Sequence, residues 1–389
     1  MPISLLSQII PIMSIILVIP ISRYFAYLLT ISISYYIFAK TKKKNKYIML
    51  YFDNDYLCGA HPLIMKRLNE TNMESTVGYG LDPYCDSAKK KICDACDAPD
   101  AAVHFLVGGT QTNATVIDGL LARHEGVLAV DSSHVNVHES GAIEASGHKV
   151  LVLPSHDGKV DAKDVEKYIN DFYGDETYEH MVAPGMVYIS QPTEYGTLYS
   201  LSELEALHEV CNKYDIPLYA DGARLGYALA AEDSDVTIKD MARLCDVFYI
   251  GGTKVGALFG EAVVNTRPDK LKHFFPLVKQ HGALLAKGRL LGLQFDTLFT
   301  DSLYMNIGAH AVRLAIKLKK AFVAKGYETF IDSPTNQQFF RLPNEKIDEL
   351  APNVGFSVVG ARGETHSIIR LVTSWSTSEE DVDALIALL

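Results

Sequence analysis

From residue 100 onward, short apolar runs alternate with segments whose apolar residues recur at helical spacing. The segment 201–213 is typical, because it has one apolar face and is preceded by Ser200, which with Glu203 forms the pattern of a capping box. Strands separated by helices indicate right-handed crossovers and a mostly parallel sheet covered by helices on both faces. The candidate strands are VHFLVG, GVLAVD, KVLVLP, GMVYIS, IPLYAD, DVFYIG and GEAVVN.

After about residue 300 the pattern changes. A long amphipathic helix is predicted over 301–324, and Ser376 with Glu379 is predicted to open a final helix. Between the two helices lie the strand-like segments QQFFRL, GFSVVG and SIIRLVTSW. We therefore predict an α/β fold, with a three-layer large domain over residues 49–300 and a small C-terminal α+β domain over residues 301–389.

Residues 1–48 differ from the rest of the chain. The stretch 3–39 is almost free of charge, and the basic run KTKKKNK follows it. Its length permits one or two membrane passes, although Pro11 and Pro20 would interrupt a helix, and the lysines would then place the remaining chain on the cytoplasmic side. The alternative is that translation begins at Met49, where a self-contained globular pattern starts. We favour this alternative and expect a cytoplasmic protein, with a membrane-anchored form as the other option.

Composition restricts the class of protein. Hydrophobic residues make up 48% and charged residues 21% of the chain, as in ordinary globular proteins. The formal net charge of −11 argues against a broad nucleic-acid-binding surface. Cys93 and Cys96 form a CxxC pair, but no second ligand pair stands at a spacing that zinc requires, so we expect reduced thiols and no metal.

Two charged residues directly follow predicted strands. IPLYA ends in Asp221, and GGTK after DVFYI carries Lys254. The carboxyl ends of parallel strands share one edge of a sheet, so both side chains can reach one ligand. Either residue alone would be typical of solvated surface. Together they suit pyridoxal phosphate (PLP), which needs a lysine amine for a Schiff base and a carboxylate that keeps the pyridine nitrogen protonated. We predict a PLP site on these residues.

Several ordered motifs resemble a known family. These are FDNDY, VGYG, GGTQTN, SSHVNVHESGA, QPTEYGTLYS, DGARLG, GGTK and IIRLVTSW. Together they resemble the threonine aldolase group of fold-type-I PLP enzymes, also called the β-eliminating lyase family, over the whole stretch from Met49 to Leu389. The TEYG motif is closer to phenylserine-aldolase-like members. The resemblance implies a PLP-dependent transferase-like large domain and a homodimer or homotetramer.

The resemblance also implies roles for individual residues. Gly109 and Thr110 would bind the cofactor phosphate at a helix N-terminus. His134 would stack on the pyridine ring. Arg224 would contact the 3-oxygen side of PLP and the substrate carboxylate, and Arg370 would be the second carboxylate anchor, since a guanidinium offers two parallel donors.

Two further roles implied by the resemblance depend on a second copy of the chain. Arg289, with Lys287, resembles a basic segment that reaches a cofactor phosphate across the subunit interface, and solvated charge is the alternative for both. Tyr79 is expected to line the site of the partner subunit.

One position departs from the family pattern. Common threonine aldolases carry a second active-site histidine where this chain has Glu194. The implied reaction is cleavage of an L-β-hydroxy-α-amino acid to glycine and an aldehyde, with His134 or Glu194 as the base. The substrate would be of the L-threonine, L-allo-threonine or phenylserine type. The alternatives are β-elimination or transamination on the same scaffold, and a non-catalytic, membrane-anchored binding protein.

Overall fold

The computed structural model describes residues 49–389. The predictions for residues 1–48 lie outside this range. None of the helices between residues 49 and 389 combines the length and apolarity that a bilayer crossing needs. Leu50–Leu389 forms one compact unit, and the division at residue 300 stays a prediction.

The strands and helices follow each other in the order expected for crossover units. The strands are β1 (Leu50–Tyr51), β2 (Ala102–Leu106), β3 (Glu125–Val130), β4 (Lys149–Leu153), β5 (Ala183–Ser190), β6 (Leu218–Asp221), β7 (Val247–Gly251), β8 (Glu261–Asn265), β9 (Glu328–Ile331), β10 (Gln337–Pro343), β11 (Val354–Gly355), β12 (Ser357–Val359) and β13 (His366–Val372). The α-helices are α1 (Pro62–Glu70), α2 (Pro83–Cys96), α3 (Gly109–Leu120), α4 (His134–Val137), α5 (Ala142–Ala145), α6 (Ala162–Gly174), α7 (Leu201–Lys213), α8 (Leu225–Leu229), α9 (Ile238–Leu244), α10 (Phe274–Gln280), α11 (Arg289–Leu298), α12 (Leu303–Ala324), α13 (Asn344–Leu350) and α14 (Glu379–Ala387).

The central sheet has seven strands in the order β2-β8-β7-β6-β5-β3-β4. The neighbours from β7 to β4 run parallel, and β8 is antiparallel to both β2 and β7. Alternate residues of one strand face different cores. In β3, Leu128 and Val130 belong to one hydrophobic cluster, while Val127 and Ala129 belong to another. Helices α6 and α7 cover the first face and α3 and α10 the second, which confirms the predicted three-layer arrangement.

The small sheet is antiparallel, in the order β12-β13-β10-β9. Helix α12 packs on it, and Phe322 stacks on Phe340 with ring centroids 4.1 Å apart. Strand β1 pairs with β11, so residues from the start of the described chain join residues near its end. The predicted combination of helices and a small sheet after residue 300 is confirmed.

The capping predictions have different outcomes. Ser200 and Glu203 form the capping box of α7 as predicted. The prediction for α14 is wrong by two residues, because Ser378 and Asp381 form that capping box instead. Glu379 cannot serve Ser376 as a cap, since its carboxylate is bound by basic side chains of α12.

Helix α12 approaches the active-site region through a glycine contact. A Cβ atom added to Gly308 would lie 2.2 Å from the carbonyl oxygen of Gly226 in α8. This helix begins directly after Arg224, so the close approach of α12 and α8 holds the segment that carries this arginine. Only a residue without a side chain permits this separation.

We expect Gly308→Ala to lower the free energy of unfolding by about 1–3 kcal/mol, because the added methyl group must push the two helices apart. Urea and thermal unfolding measure the change. Gly174→Ala is the matched control, since Gly174 also lies in a helix but nothing approaches within 4 Å of its added Cβ. Equal stability of the two variants would contradict the close contact.

Candidate active site

Four parallel strands of the central sheet end beside one another and deliver the candidate residues. The segment after β3 leads to His134, the segment after β5 leads to Glu194, β6 ends at Asp221, and the segment after β7 leads to Lys254. Electrostatic interactions link Lys254 with Asp221 and with His134. The structure therefore brings the predicted amine and carboxylate together at the carboxyl edge of the sheet.

Asp221 is buried, with 5% of its surface exposed, and is surrounded by hydrogen-bond donors. Its Oδ2 accepts from Asn113 Nδ2 at 2.9 Å and from the Tyr188 hydroxyl at 2.8 Å, and its Oδ1 accepts from the amide of Ala223 at 2.9 Å. Burial by itself would raise the pKa of Asp221, but His134 and the donors, Tyr249 included, outweigh it and lower the pKa. Asp221 is therefore held in its ionised form.

Asn113 connects Asp221 to a second buried carboxylate. Its Nδ2 also donates to Glu139 Oε1 at 2.7 Å, and its Oδ1 accepts from the Tyr219 hydroxyl at 2.8 Å. The phenol donates to the oxygen, so the amide orientation is fixed and both hydrogens of Nδ2 point to carboxylates. Sequence reasoning missed Asn113 and Glu139, although both lie within the motifs GGTQTN and SSHVNVHESGA.

Glu139 sets the state of His134. Its Oε1 accepts from His134 Nδ1 at 2.7 Å, which leaves Nε2 of the ring for other partners. Burial would lower the pKa of His134, but the hydrogen bond to Glu139 and the charges of Asp221 and Glu139 outweigh it and raise the pKa. The ring of His138 lies 5.6 Å from that of His134, measured between centroids.

Glu194 contacts the backbone of His134 and the side chain of Ser190. Its Oε1 accepts from the backbone amide of His134 at 3.0 Å and from the Ser190 hydroxyl at 2.7 Å. Burial raises the pKa of Glu194, and the negative charge of Asp221 acts in the same direction. The residue that replaces the common second histidine is thus a carboxyl group with an increased affinity for a proton.

Lys254 has no hydrogen-bond or ion-pair partner for its amine within residues 49–389. Burial lowers its pKa and Arg224 adds to the effect, while Asp55, Asp221 and Glu261 oppose it. A lowered pKa increases the fraction of neutral amine, which is the nucleophilic form. The loop that carries Lys254 is anchored by Glu261, whose Oε2 accepts from the amide of Gly252 at 3.0 Å, and burial raises the pKa of Glu261 to about 8.

Arg224 is already paired. Its Nε and Nη2 donate to the two oxygens of Asp55 at 2.7 and 3.0 Å, and Asp55 also accepts from Asn336 Nδ2 at 2.9 Å. Two of the guanidinium nitrogens are therefore used by the protein, and Nη1 has no hydrogen-bond partner within residues 49–389. The predicted roles of Arg224 as a contact to PLP and as a carboxylate anchor stay predictions. Asp55, which lies in the motif FDNDY, was not recognised as its partner.

Arg370 is held loosely. Its Nη2 lies 3.3 Å from both the Asp53 carbonyl oxygen and Asn54 Oδ1, and its Nη1 lies 3.4 Å from Gln337 Oε1. Its Nε is buried and has no partner within residues 49–389. A partly buried guanidinium with long contacts and one unpaired donor is suited to bind an added carboxylate.

Helix α3 presents Gly109 and Thr110 in its first turn. The N-cap residue Gly108 has no side chain, so the first amides of the helix receive no side-chain cap. Free amides at a helix N-terminus favour an anion. Asn113, in the same helix, bonds Asp221, so one element supplies both an anion-binding end and a support for the carboxylate.

Tyr79 lies against Gly288, the residue before Arg289. Tyr79 is 44% exposed, and its amide donates to the Ala286 carbonyl at 3.0 Å. Arg289 donates to the carbonyl oxygens of Thr71 and Glu74. Their predicted roles concern a second copy of the chain and stay predictions.

The residues present fit PLP. An ionised, buried carboxylate surrounded by donors suits a protonated pyridine nitrogen. An amine with a lowered pKa and no protein partner suits the cofactor aldehyde. The open amides of α3 suit its phosphate. No cluster of metal-ligating side chains occurs between residues 49 and 389.

Comparisons with known proteins identify the family and the fold. A family profile described as Beta-eliminating lyase matches residues 55–330. The low specificity L-threonine aldolase of Pseudomonas aeruginosa is 28% identical over 338 residues, which cover 86% of this chain and 95% of that protein. A solved structure of Leishmania major threonine aldolase is 42% identical with a TM-score of 0.84, and the match covers 87% of this chain and 98% of that one. A putative L-allo-threonine aldolase from Listeria monocytogenes, 18% identical with a TM-score of 0.66 over 85% of this chain and 94% of that one, shares the fold.

We expect Asp55→Asn to destabilise the protein by about 3–5 kcal/mol, because it leaves a guanidinium with 12% exposure and no counter-charge. Burial would raise the pKa of Asp55, but Arg224 and Lys254 outweigh it and lower the pKa. The stabilisation is therefore present at neutral pH and is lost as the pH falls through this lowered pKa. Urea unfolding at neutral and acidic pH measures both effects.

A double-mutant cycle with Arg224→Met serves as the control. Removal of both charges should cost less than the sum of the two single changes, since the double variant buries no unpaired charge. Additive losses would show that Asp55 and Arg224 do not stabilise each other.

Proposed function

The chain belongs to the beta-eliminating lyase family, and from that premise we propose that it is a PLP-dependent aldehyde-lyase that cleaves an L-β-hydroxy-α-amino acid to glycine and an aldehyde. The observation that carries the proposal is the convergence of Lys254 and an ionised Asp221 at the carboxyl ends of neighbouring strands. The threonine aldolases of Pseudomonas aeruginosa and Leishmania major support it through matches over most of both chains. A homodimer or homotetramer and a cytoplasmic location are part of the same proposal.

Each residue has a defined task in this reaction. PLP, when bound, supplies an electron sink for the electron pair left at the substrate α-carbon. Lys254 would hold its aldehyde, Asp221 its pyridine nitrogen, and the first turn of α3, with Gly109 and Thr110, its phosphate. The substrate carboxylate requires a cation, and Arg370, whose contacts to the protein through Nη1 and Nη2 are long, would supply it.

The remaining residues act around the bond that breaks. Asp55 fixes Nε and Nη2 of Arg224, and Nη1 would contact the ligands. His134 or Glu194 accepts the proton of the β-hydroxyl group, and each has a pKa raised by its surroundings. Arg289 and Tyr79 are proposed to act at the site of a partner subunit.

We expect the protein to release glycine with acetaldehyde from L-threonine or L-allo-threonine, or with benzaldehyde from L-phenylserine. Lys254→Ala should lose this release and the yellow absorbance of the lysine-bound cofactor, because no other amine replaces it. Lys239→Ala is the control, since this lysine is exposed on α9. Ammonia with a keto acid as products would instead indicate elimination or transamination, and full activity of Lys254→Ala would refute the lysine assignment.

We expect Arg370→Lys to raise KM roughly ten- to hundredfold, the scale of one charged hydrogen bond lost to the substrate carboxylate. Initial-rate kinetics over a range of substrate concentrations measure the change. Arg341→Lys is the matched control, because Arg341 is exposed on the neighbouring strand β10. An unchanged KM in Arg370→Lys would remove this arginine from the substrate site.

A further inference from the structure

Ser190 makes two contacts that its single proton cannot serve at once. Its Oγ lies 2.7 Å from Glu194 Oε1 and 3.2 Å from the Tyr188 hydroxyl. A serine hydroxyl carries one proton. The proton of Tyr188 is used on Asp221 Oδ2, at 2.8 Å. With both carboxyl groups ionised, this row of three contacts contains two protons, one fewer than it needs.

A protonated carboxyl group at either end would supply the third proton. Asp221 is unsuited, because Asn113, Tyr188 and the Ala223 amide all donate to it and a further proton would face these donors. Glu194 is suited, because the His134 amide is the one further donor to its Oε1 within residues 49–389, and a protonated Oε1 can donate to Ser190 Oγ. Ser190 then donates to Tyr188, and Tyr188 donates to Asp221. We call Glu194, Ser190, Tyr188 and Asp221, in this order, the donor chain.

We infer that Glu194, rather than His134, exchanges a proton with the β-hydroxyl group of the substrate, and that Ser190 and Tyr188 are positioning residues that strengthen it as a base by stabilising its protonated form. This inference rests on the proposed function. It also accounts for the glutamate at the position of the common second histidine. The donor chain ends at Asp221, the carboxylate that would pair with the pyridine nitrogen. One ionised group therefore supports both the cofactor and the base.

The proton and the electrons balance in this step. The O–H bond of the β-hydroxyl breaks and its proton goes to the Glu194 carboxylate. The electron pair of that bond forms the carbonyl bond of the aldehyde. The Cα–Cβ bond breaks and leaves its pair on the α-carbon, which then takes up a proton to become glycine.

The charged and titratable groups around Glu194 agree with this assignment. Burial raises the pKa of Glu194, Asp221 from β6 raises it further, and His134 from α4 opposes both. Tyr188 and Tyr199 also interact with it electrostatically, and burial raises the pKa of both phenols, so they stay neutral. His134 already uses Nδ1 for Glu139, whose charge favours the protonated ring, so less of the ring is in the neutral form that can accept a proton. A base is most effective when its pKa lies near the working pH.

Two variants test the donor chain, and the same direction of shift is expected for both. Tyr188→Phe removes the acceptor of Ser190, whose proton then stabilises ionised Glu194. In the pH profile of kcat/KM, the acid limb should move to lower pH by about half to one unit, which is the effect of one hydrogen bond on a pKa. Ser190→Ala removes the group that accepts from protonated Oε1, so the same limb should also move to lower pH, whereas a serine that donates to the ionised carboxylate would give a move to higher pH.

Tyr219→Phe is the matched control. It removes a phenol hydroxyl that is equally buried and lies near the same carboxylate, but it donates to Asn113 and is not in the donor chain. Its acid limb should stay in place. Glu139→Gln changes the partner of His134, so a limb that moved in this variant and in neither Tyr188→Phe nor Ser190→Ala would assign the proton transfer to His134.

A second readout does not depend on turnover. The infrared band of a protonated carboxyl group, followed against pH in the cofactor-loaded protein and identified by its loss in Glu194→Gln, should titrate with the same shifts. If Tyr188→Phe and Ser190→Ala move neither the limb nor the band, or if the limb follows Glu139→Gln alone, the inference is wrong. If the wild-type protein cleaves no β-hydroxy amino acid but the band shifts as expected, the proposed function fails and the donor chain remains.

Discussion

The negative charge of Asp221 is the constraint on which the rest of the site depends. A carboxylate with 5% exposure keeps its charge only when donors replace the water it has lost. Asn113 from α3, Tyr188 from β5 and the backbone after β6 supply these donors. Three separate elements are therefore held at hydrogen-bond distance from the Asp221 carboxylate. The catalytic candidates follow the ends of β3, β5, β6 and β7, at the same edge of the sheet.

The same charge organises the basic and acidic groups nearby. It favours the protonated form of His134 and of Glu194, and it opposes the lowering of the pKa of Lys254 by burial. The ion pair between Asp55 and Arg224 also acts on the pKa of Lys254, because Arg224 lowers this pKa and Asp55 raises it. The amine of Lys254 thus interacts with three carboxyl groups and a guanidinium, and burial determines the direction in which its pKa moves.

The sequence was sufficient for the strands, the three layers and the family, which the profile match confirms. The convergence of Asp221 and Lys254 was predictable because parallel strands place their carboxyl ends at one edge. The order of the strands in the sheet was not predictable, since it depends on crossovers that periodicity does not record. Asn113, Glu139 and Asp55 were inside the quoted motifs but were not recognised, because their partners are distant in the chain and only the fold brings them together.

The pairing of β1 with β11 has a consequence for synthesis of the protein. Leu50 and Phe52 pack in the hydrophobic cluster formed by α12 and the small sheet, although some three hundred residues separate β1 from β11. During translation the first strand leaves the ribosome long before its partner exists. Asp55 follows this strand, and its hydrogen-bond donor Asn336 is also synthesised late. The anchor of Arg224 is therefore complete only when nearly the whole polypeptide has emerged, so a nascent chain that is released early lacks an organised binding site.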